Sequence, residues 1–269
     1  MNKPPHVYLV GAGPGDPELL TVKASRLLRE ADVVVYDRLV SAEILTMIPS
    51  GTAKFYVGKA AGHHHMTQDE INALLVQLAR AGKTRIVRLK GGDPLIFDRG
   101  SEEARYLHEQ GIPFSIVPGI TSASACTTYA GIPLTHRGLA RSVRMVTGHC
   151  QKNRPLDLNW NSLADPDTTL VVYMGLGHLQ EIATRLQHAG LSGGTPAAII
   201  ENGTHSDQRR CLTTLAQLPE QARVQVFTTP SLIVIGRVVA LAKELEWRQT
   251  SDHEQAFAEI LGQSIQAEA

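Results

Sequence analysis

The first half of the chain alternates short β-branched or aromatic runs with amphipathic helical patterns, and no other feature constrains the fold as strongly. Runs at 7–10, 33–36, 55–57, 85–89 and 114–117 read as strands. A rhythm of strand, helix, strand means a parallel sheet covered by helices. The clearest helix is predicted from Thr67, because Thr67-Gln68-Asp69-Glu70 is a capping box. Behind it, Ile71, Leu74, Leu75, Leu78 and Ala79 follow the i, i+3, i+4, i+7, i+8 stripe of a core-facing helix until Gly82 stops it.

In open parallel sheets the ligand crevice lies beyond the carboxyl ends of the strands. The unusual residues of this chain fall there: 11–16 after the first strand, Asp37 and Arg38 after the second, Gly58 and Lys59 after the third, Gly91-Gly92-Asp93-Pro94 after the fourth, and Pro118-Gly119 after the fifth. A single glycine in such a place is ordinary turn chemistry. Together, the loops GAGPGDP, GKAAGHHH and KGGDP predict a ligand gripped by backbone amides and carbonyls. A pyrophosphate is a poor fit. Gly11, Gly13 and Gly15 give G-x-G-x-G, Asp16 sits where the third glycine of a dinucleotide fingerprint belongs, and Pro14 and Pro17 remove amides. The phosphate loop G-x-x-x-x-G-K-[ST] is absent as well, so a neutral or zwitterionic nucleoside-type ligand is expected.

Past Gly119 the pattern changes to a small-residue helix over 121–129, then strands at 143–147, 169–174, 197–201, 210–214 and 232–235, with a helix over 178–189 ending at Gly190. The expectation is an α/β protein of two domains, 1–119 with a parallel sheet and 120–246 with a mixed sheet, sharing an active-site cleft, followed by a polar tail over 247–269. Lys plus Arg equals Asp plus Glu at 26 each, so no global field steers the chain to nucleic acid or an anionic membrane. Any anionic ligand must be met by local clusters. Cys126, Cys150 and Cys211 are far apart and form no C-x-x-C, which argues against a disulfide framework or a zinc site and for a reducing cytoplasm. The apolar runs are far shorter than the roughly 20 residues of a membrane span, and MNKPPHVYLVG has no signal-peptide core. His63, His64 and His65 are adjacent and lack spaced acidic or Cys partners, so no metal is expected; they read as donors to carboxylates or as loop filler.

The segments VYLVGAGPGDPELLT, VVVYDRLV, VGKAAGHH, RLKGGDPLIF, VPGITSASACTTYAGIPLTHRG, VTGH, VVYMG and ENGT, spread from about Val7 to about Leu245, resemble the tetrapyrrole methylase family. The resemblance implies that family's fold, S-adenosyl-L-methionine as cosubstrate with S-adenosyl-L-homocysteine as product, and a homodimer. YDRLV and THRG favour the member that methylates uroporphyrinogen III at C2 and C7 to precorrin-2, feeding sirohaem, cobalamin or haem d1. By matching position, Pro14, Gly91, Gly92, Asp93, Ile96, Thr121, Ser122, Met174 and Gly203 are expected to contact the cosubstrate. Asp37 resembles the family's proton acceptor, Lys59 its proton donor, and Arg99 with Glu102 a pair that handles substrate carboxylates or protons. The eight carboxylates of the acceptor call for cations, and Arg38, Arg137, Arg141 and Arg144, with His63, are the candidates.

On the residues alone, blander readings stand beside these. Asp37 reads as a helix-capping Asp and Lys59 as a solvated charge, Ile96 and Met174 as core packing, and Arg99 with Glu102 as a surface i, i+3 ion pair. One departure stands out: Asp98 occupies the place of the glycine in the family's F-G-R-G, where a positive φ is one reason a glycine is kept. A first strand beginning near residue 7 leads to the expectation of methylation alone, without an attached dehydrogenase/ferrochelatase module. The rivals are a later precorrin methylase of the same fold, a nicotinamide-dependent oxidoreductase, and a non-enzymatic nucleotide sensor.

Overall fold

A computed structural model describes residues 4–58, 66–149 and 156–248. The chain divides into two compact units between Ala125 and Cys126, a point that falls inside one helix, Ser122–Tyr129.

The strands of the first unit are β1 (His6–Gly11), β2 (Val33–Tyr36), β3 (Ala53–Tyr56), β4 (Arg85–Lys90) and β5 (Phe114–Val117). Between them run α1 (Val22–Glu30), α2 (Ala42–Thr46), α3 (Gln68–Arg80) and α4 (Gly100–Glu109); α5 is the helix Ser122–Tyr129. All the strand pairs are parallel and the order is β3-β2-β4-β1-β5. The expected capping box is present at α3, where Thr67 Oγ1 accepts from the Glu70 amide and the Glu70 carboxylate accepts from the Thr67 amide. Of the predicted stripe, Ile71, Leu75 and Ala79 are buried and Leu74 and Leu78 pack at its border. The sheet is covered on both faces. Ala24, Leu27 and Leu28 of α1 and Ile44 of α2 pack on Val10, Val34, Val87 and Leu89, while α3 with Ala104 and Leu107 of α4 packs on Leu9, Val33, Val35 and Ile86.

That partition settles which way β4 points. Side chains alternate along a strand, so Arg88 and Lys90 share the face of Ile86, the one covered by α3 and α4. Both cations are therefore inside the unit. The chain leaves β1 toward β2 and leaves β4 toward β5, in opposite directions from adjacent strands, which is the switch point where doubly wound sheets place a crevice.

The second unit contains β6 (Ser142–Thr147), β7 (Thr168–Tyr173), β8 (Pro196–Glu201), β9 (Arg209–Thr214) and β10 (Ser231–Ile235), with α6 (Trp160–Leu163), α7 (Leu179–His188) and α8 (Leu218–Val224). The sheet is mixed: β6 runs parallel to β7, and β10 pairs antiparallel with β7 and β8 in the order β6-β7-β10-β8-β9. Its core joins Leu179, Ile182 and Leu186 of α7 to Leu170, Val172, Ile199 and Ile233 of the sheet. The stretch expected as tail begins at 247, yet Trp247 is anchored: its indole N–H donates to the Thr128 carbonyl at 2.9 Å and its ring meets Tyr129 edge-on. Residues 249–269 lie outside the described residues.

Candidate functional site

Three loops of the first unit meet at the carboxyl ends of β1, β4 and β5, and they are knitted by glycine. Gly13 and Gly92 exchange amides and carbonyls across an isolated bridge, N to O 3.2 Å one way and 2.7 Å the other. A Cβ on Gly11 would stand 2.5 Å from the Gly119 nitrogen and 2.6 Å from the Gly92 carbonyl, and one on Gly119 would stand 2.3 Å from that same carbonyl. Backbone fills those spaces. Gly11 and Gly119 are thus required for loop-to-loop approach, whereas a Cβ on Gly92, itself at φ +69°, would come no nearer than 3.8 Å to the Ser122 hydroxyl.

Asp93 locks the arrangement. One carboxylate oxygen accepts from the Leu95 amide at 2.9 Å and the other from the Gly119 amide at 3.1 Å, tying the loop after β4 to the loop after β5. Ile96 follows in the same turn, its amide donating to the Asp93 carbonyl. Thr121 starts α5 by offering its carbonyl to the amides of Ser124 and Ala125. The cosubstrate residues expected in this unit (Pro14, Gly91, Gly92, Asp93, Ile96, Thr121 and Ser122) lie on these loops, and only Gly92 of them is fully buried. Asp16, which broke the dinucleotide fingerprint, caps a short 3₁₀ turn, Pro17–Leu19, by accepting from the Glu18 amide at 2.8 Å.

In the second unit β7 and β8 both run antiparallel to β10, so their carboxyl ends leave the same edge of the sheet. Met174 follows β7 and Gly203 follows β8. The strand predicted over 169–174 stops at Tyr173 because Met174 is left-handed at φ 54°, half exposed rather than packed in a core. Asn202 (φ 47°) and Thr204 (φ 73°) share that conformation on the next loop. Such backbone is uncommon away from glycine and gathers at functional sites. Gly203 has its own packing reason, since a Cβ there would lie 2.3 Å from Cys126 Sγ.

Asp37 sits just past β2 with its side chain mostly buried. One oxygen accepts from the Leu39 amide at 3.1 Å and the other receives Arg88 at 3.1 Å. Helix α2 is capped by Ser41, not by Asp37. Arg88 also holds Glu103 at 3.2 Å, Glu103 receives Lys90 Nζ at 3.0 Å and the Gln68 amide at 3.1 Å, and Lys90 stands 3.5 Å from Asp98. The side chains of Arg88, Lys90 and Glu103 are 3%, 2% and 0% exposed, so this is a buried ionic cluster. Burial pushes the Glu103 carboxyl up, but Arg88 and Lys90 outweigh it and hold the group below the ordinary range. Burial likewise works against the Arg88 charge, and Glu103 and Asp37 overcome it and raise its pKa. Sequence reading missed Arg88, Lys90 and Glu103. The available signal was two cations at i, i+2 in a strand that a doubly covered sheet buries on both faces.

Arg99 and Glu102 form a two-pronged pair at 2.9 and 2.6 Å, more than half exposed, with Arg99 left-handed at φ 58° in front of α4. The hydrogen bonds to Glu102 raise the Arg99 pKa, and the same contact lowers that of Glu102. Asp98 itself is not at positive φ; its neighbours Phe97 (φ 54°) and Arg99 are. Arg38, Arg137 and Arg141 are exposed, and Arg144 is half-buried with its guanidinium donating to the Ser162 carbonyl. Lys59 and His63 lie outside the described residues, as does Cys150.

A parallel sheet with glycine-knit loops at its switch point, followed by a mixed sheet with strained loops on one edge, defines an α/β protein of two sheets. The model of the tetrapyrrole (corrin/porphyrin) methylases matches residues 6–219, and the chain belongs to that family. The siroheme synthase of Pseudomonas putida (strain W619) is 52% identical over 249 residues, 93% of this chain and 53% of that protein. That of Nitrosospira multiformis is 54% identical over 243 residues, 90% of this chain and 51% of the other. The chain spans about half the length of the curated relatives it matches. Among solved structures, uroporphyrin-III C-methyl transferase from Thermus thermophilus complexed with S-adenyl homocysteine is 43% identical with a TM-score of 0.75, covering 87% of this chain and 93% of that one. A cobalt precorrin-4 methyltransferase is 28% identical with a TM-score of 0.77, covering 87% and 95%.

Proposed function

We propose that the chain is an S-adenosyl-L-methionine-dependent C-methyltransferase that adds methyl groups to C2 and C7 of uroporphyrinogen III to give precorrin-2. The carrying observation is the glycine-knit loop triad around Asp93, in a chain 43% identical to a methyltransferase solved with S-adenyl homocysteine. The donor set fits that cosubstrate. Loops 11–16 and 91–97 contain carboxylates at Asp16 and Asp93 and no Lys or Arg, which suits a sulfonium and would repel a pyrophosphate. S-adenosyl-L-methionine supplies, when bound, an electrophilic methyl group.

The protein's own contribution is positioning and proton handling. Pro14, Gly91, Gly92, Asp93, Ile96, Thr121, Ser122, Met174 and Gly203 hold the cosubstrate; the loops of the first unit offer main chain already fixed by the Gly13–Gly92 bridge and the Asp93–Gly119 bond. Holding reacting carbons about 3 to 3.5 Å apart supplies much of the rate. The pyrrole carbon is nucleophilic only as the macrocycle gives up a proton, which Asp37 accepts; Lys59 returns protons, and Arg99, set by Glu102, steadies the charge that develops. Arg38, His63, Arg137, Arg141 and Arg144 receive acceptor carboxylates. A homodimer working in the cytoplasm completes the reading, on the resemblance and the cysteine spacing.

The test is to incubate the protein with uroporphyrinogen III and methyl-labelled S-adenosyl-L-methionine. Two labels per macrocycle and a product that oxidises to sirohydrochlorin support the proposal. Label transferred to precorrin-2 alone would identify a later corrin methylase, a reading the TM-score of 0.77 to the precorrin-4 enzyme keeps second. No transfer to either would overturn methylation of these acceptors.

A further inference from the structure

The buried cluster on the α3/α4 face of the first unit is out of balance. Among the described residues it joins two cations, Arg88 and Lys90, to three carboxylates, Asp37, Asp98 and Glu103. Arg88 is shared by Asp37 and Glu103, and Lys90 by Glu103 and Asp98. With every group ionised, one negative charge is left over around a centre, Arg88, Lys90 and Glu103, that water scarcely reaches, and burying an uncompensated charge is costly. The geometry shows where the surplus lies. Asp98 Oδ2 is buried and makes no hydrogen bond among the described residues, and Lys90 Nζ stands off at 3.5 Å while spending its shorter contact, 3.0 Å, on Glu103. Glu103 Oε2 is also without a hydrogen bond, but Oε1 of that carboxylate receives Arg88, Lys90 and Gln68 together.

Asp98 is not there for its backbone, since the left-handed residues are Phe97 and Arg99 on either side. We propose that Asp98 is a positioning residue for proton transfer at Asp37: its carboxyl holds the one exchangeable proton of the cluster, and its ionisation adds a negative charge to the chain of ion pairs that ends on Asp37. The inference rests on Asp37 being the proton acceptor, as proposed above. Lys90 on β4 faces Asp98 at 3.5 Å, and among the described residues Arg88 on β4, Asp37 after β2 and Glu103 on α4 also act on its charge. The Asp98 carboxyl is pushed up from 3.8 to about 7, mainly by burial; Lys90 and Arg88 work against the rise, and Asp37 and Glu103 add to it. The proton leaves to solvent through the part of the side chain that is still accessible, 22%. A charge gained at Asp98 is passed toward Asp37 along the ion pairs that join them, through Lys90, Glu103 and Arg88.

The experiment has two arms on the full chain. In the first, carboxyl carbons are followed by ¹³C NMR as pH is raised from about 4 to about 9, in the wild type, Asp98→Asn and Asp37→Asn. One carboxyl titrating near 7, lost in Asp98→Asn and moved to lower pH in Asp37→Asn, is expected; a normal Asp98 midpoint, or one that Asp37→Asn leaves in place, overturns the proposal whether or not the protein methylates anything. In the second, kcat/KM for methyl transfer is measured over the same range. The wild type is expected to gain activity through an inflection near 7 that Asp98→Asn loses and Asp98→Glu restores. An unchanged inflection in a folded Asp98→Asn protein overturns the coupling while leaving the methyltransferase reading intact. Absence of all methyl transfer in the wild type overturns that reading instead, and the NMR arm then decides Asp98 alone.

Discussion

Glu103 shows what one buried side chain can be asked to hold. Its carboxylate is the common partner of Arg88 and Lys90, both almost wholly inside the unit. Removing one member of such a set strands the others, at a cost on the order of 3 to 5 kcal/mol. Glu103→Ala should therefore lower the urea midpoint sharply, and Glu103→Gln, which keeps the shape, should lower it less. Asp98 behaves in the opposite sense. Its folded pKa of about 7 lies above the unfolded value, so the unfolded chain ionises first and stability falls as pH rises from about 4 to about 7. Asp98→Asn abolishes that loss. Urea denaturation should find the variant more stable than wild type by about 2 to 4 kcal/mol at pH 8, on the scale of about 1.4 kcal/mol per pKa unit, with the gap closing as pH falls from about 7 to about 4. Arg99 is a third case. Its pair with Glu102 is exposed, and such pairs contribute only about 0 to 1 kcal/mol, so Arg99→Ala should leave the melting temperature nearly unchanged. Methyl transfer should drop at least about tenfold, the loss expected when a charge-stabilising group of about 1.4 kcal/mol or more is removed. Equal losses of stability and activity would assign the pair to structure.

The elements explain why the glycines are glycines. Loops from β1, β4 and β5 cannot come together around the Gly13–Gly92 bridge unless Gly11 and Gly119 lack side chains, because a Cβ on either would meet backbone at 2.6 Å or less. A flexible side chain could yield; a carbonyl fixed in a neighbouring loop cannot. Gly119→Ala should unhook the Asp93–Gly119 bond as the loops separate. Calorimetric titration with S-adenosyl-L-homocysteine is expected to show at least about tenfold weaker binding, equivalent to about 1.4 kcal/mol, with a lower melting temperature alongside. Retained affinity in that variant would mean the loops do not hold the ligand. Part of this was legible beforehand. The capping box at Thr67 marked the start of α3, while Asp16, which breaks the dinucleotide fingerprint, caps the 3₁₀ turn Pro17–Leu19. The glycine loops were expected to approach a ligand, while much of their closeness is to one another, and a contact between residues as distant in sequence as Gly11 and Gly119 has no local signature.

At the scale of the whole molecule the charges sum to zero, so the proposed acceptor, with its eight carboxylates, would have to be met by placed cations rather than by a general field. Arg38, Arg137 and Arg141 are exposed and suited to that work. Exposed ion pairs weaken as salt shortens the screening length to a few ångströms. Raising salt from about 0.05 M to about 0.5 M should therefore increase KM for the tetrapyrrole several-fold while moving KM for S-adenosyl-L-methionine little, a difference steady-state kinetics would show directly. Parallel shifts in both constants would point away from local arginines.

Taken alone, the sequence determined the alternation of strands and helices, the placement of its odd residues at strand ends, and membership in a family, because these are written in local periodicity, turn chemistry and motif spacing. It did not determine which side of β4 is inside. Arg-Ile-Val-Arg-Leu-Lys alternates equally well for a strand with a wet face and for one buried on both, and only the packing of α3 and α4 over Ile86, Arg88 and Lys90 made the difference. That burial turned a run of charged residues into a cluster with one carboxylate to spare, since the energy of a charge depends on the dielectric and the partners around it, and tertiary structure alone sets both.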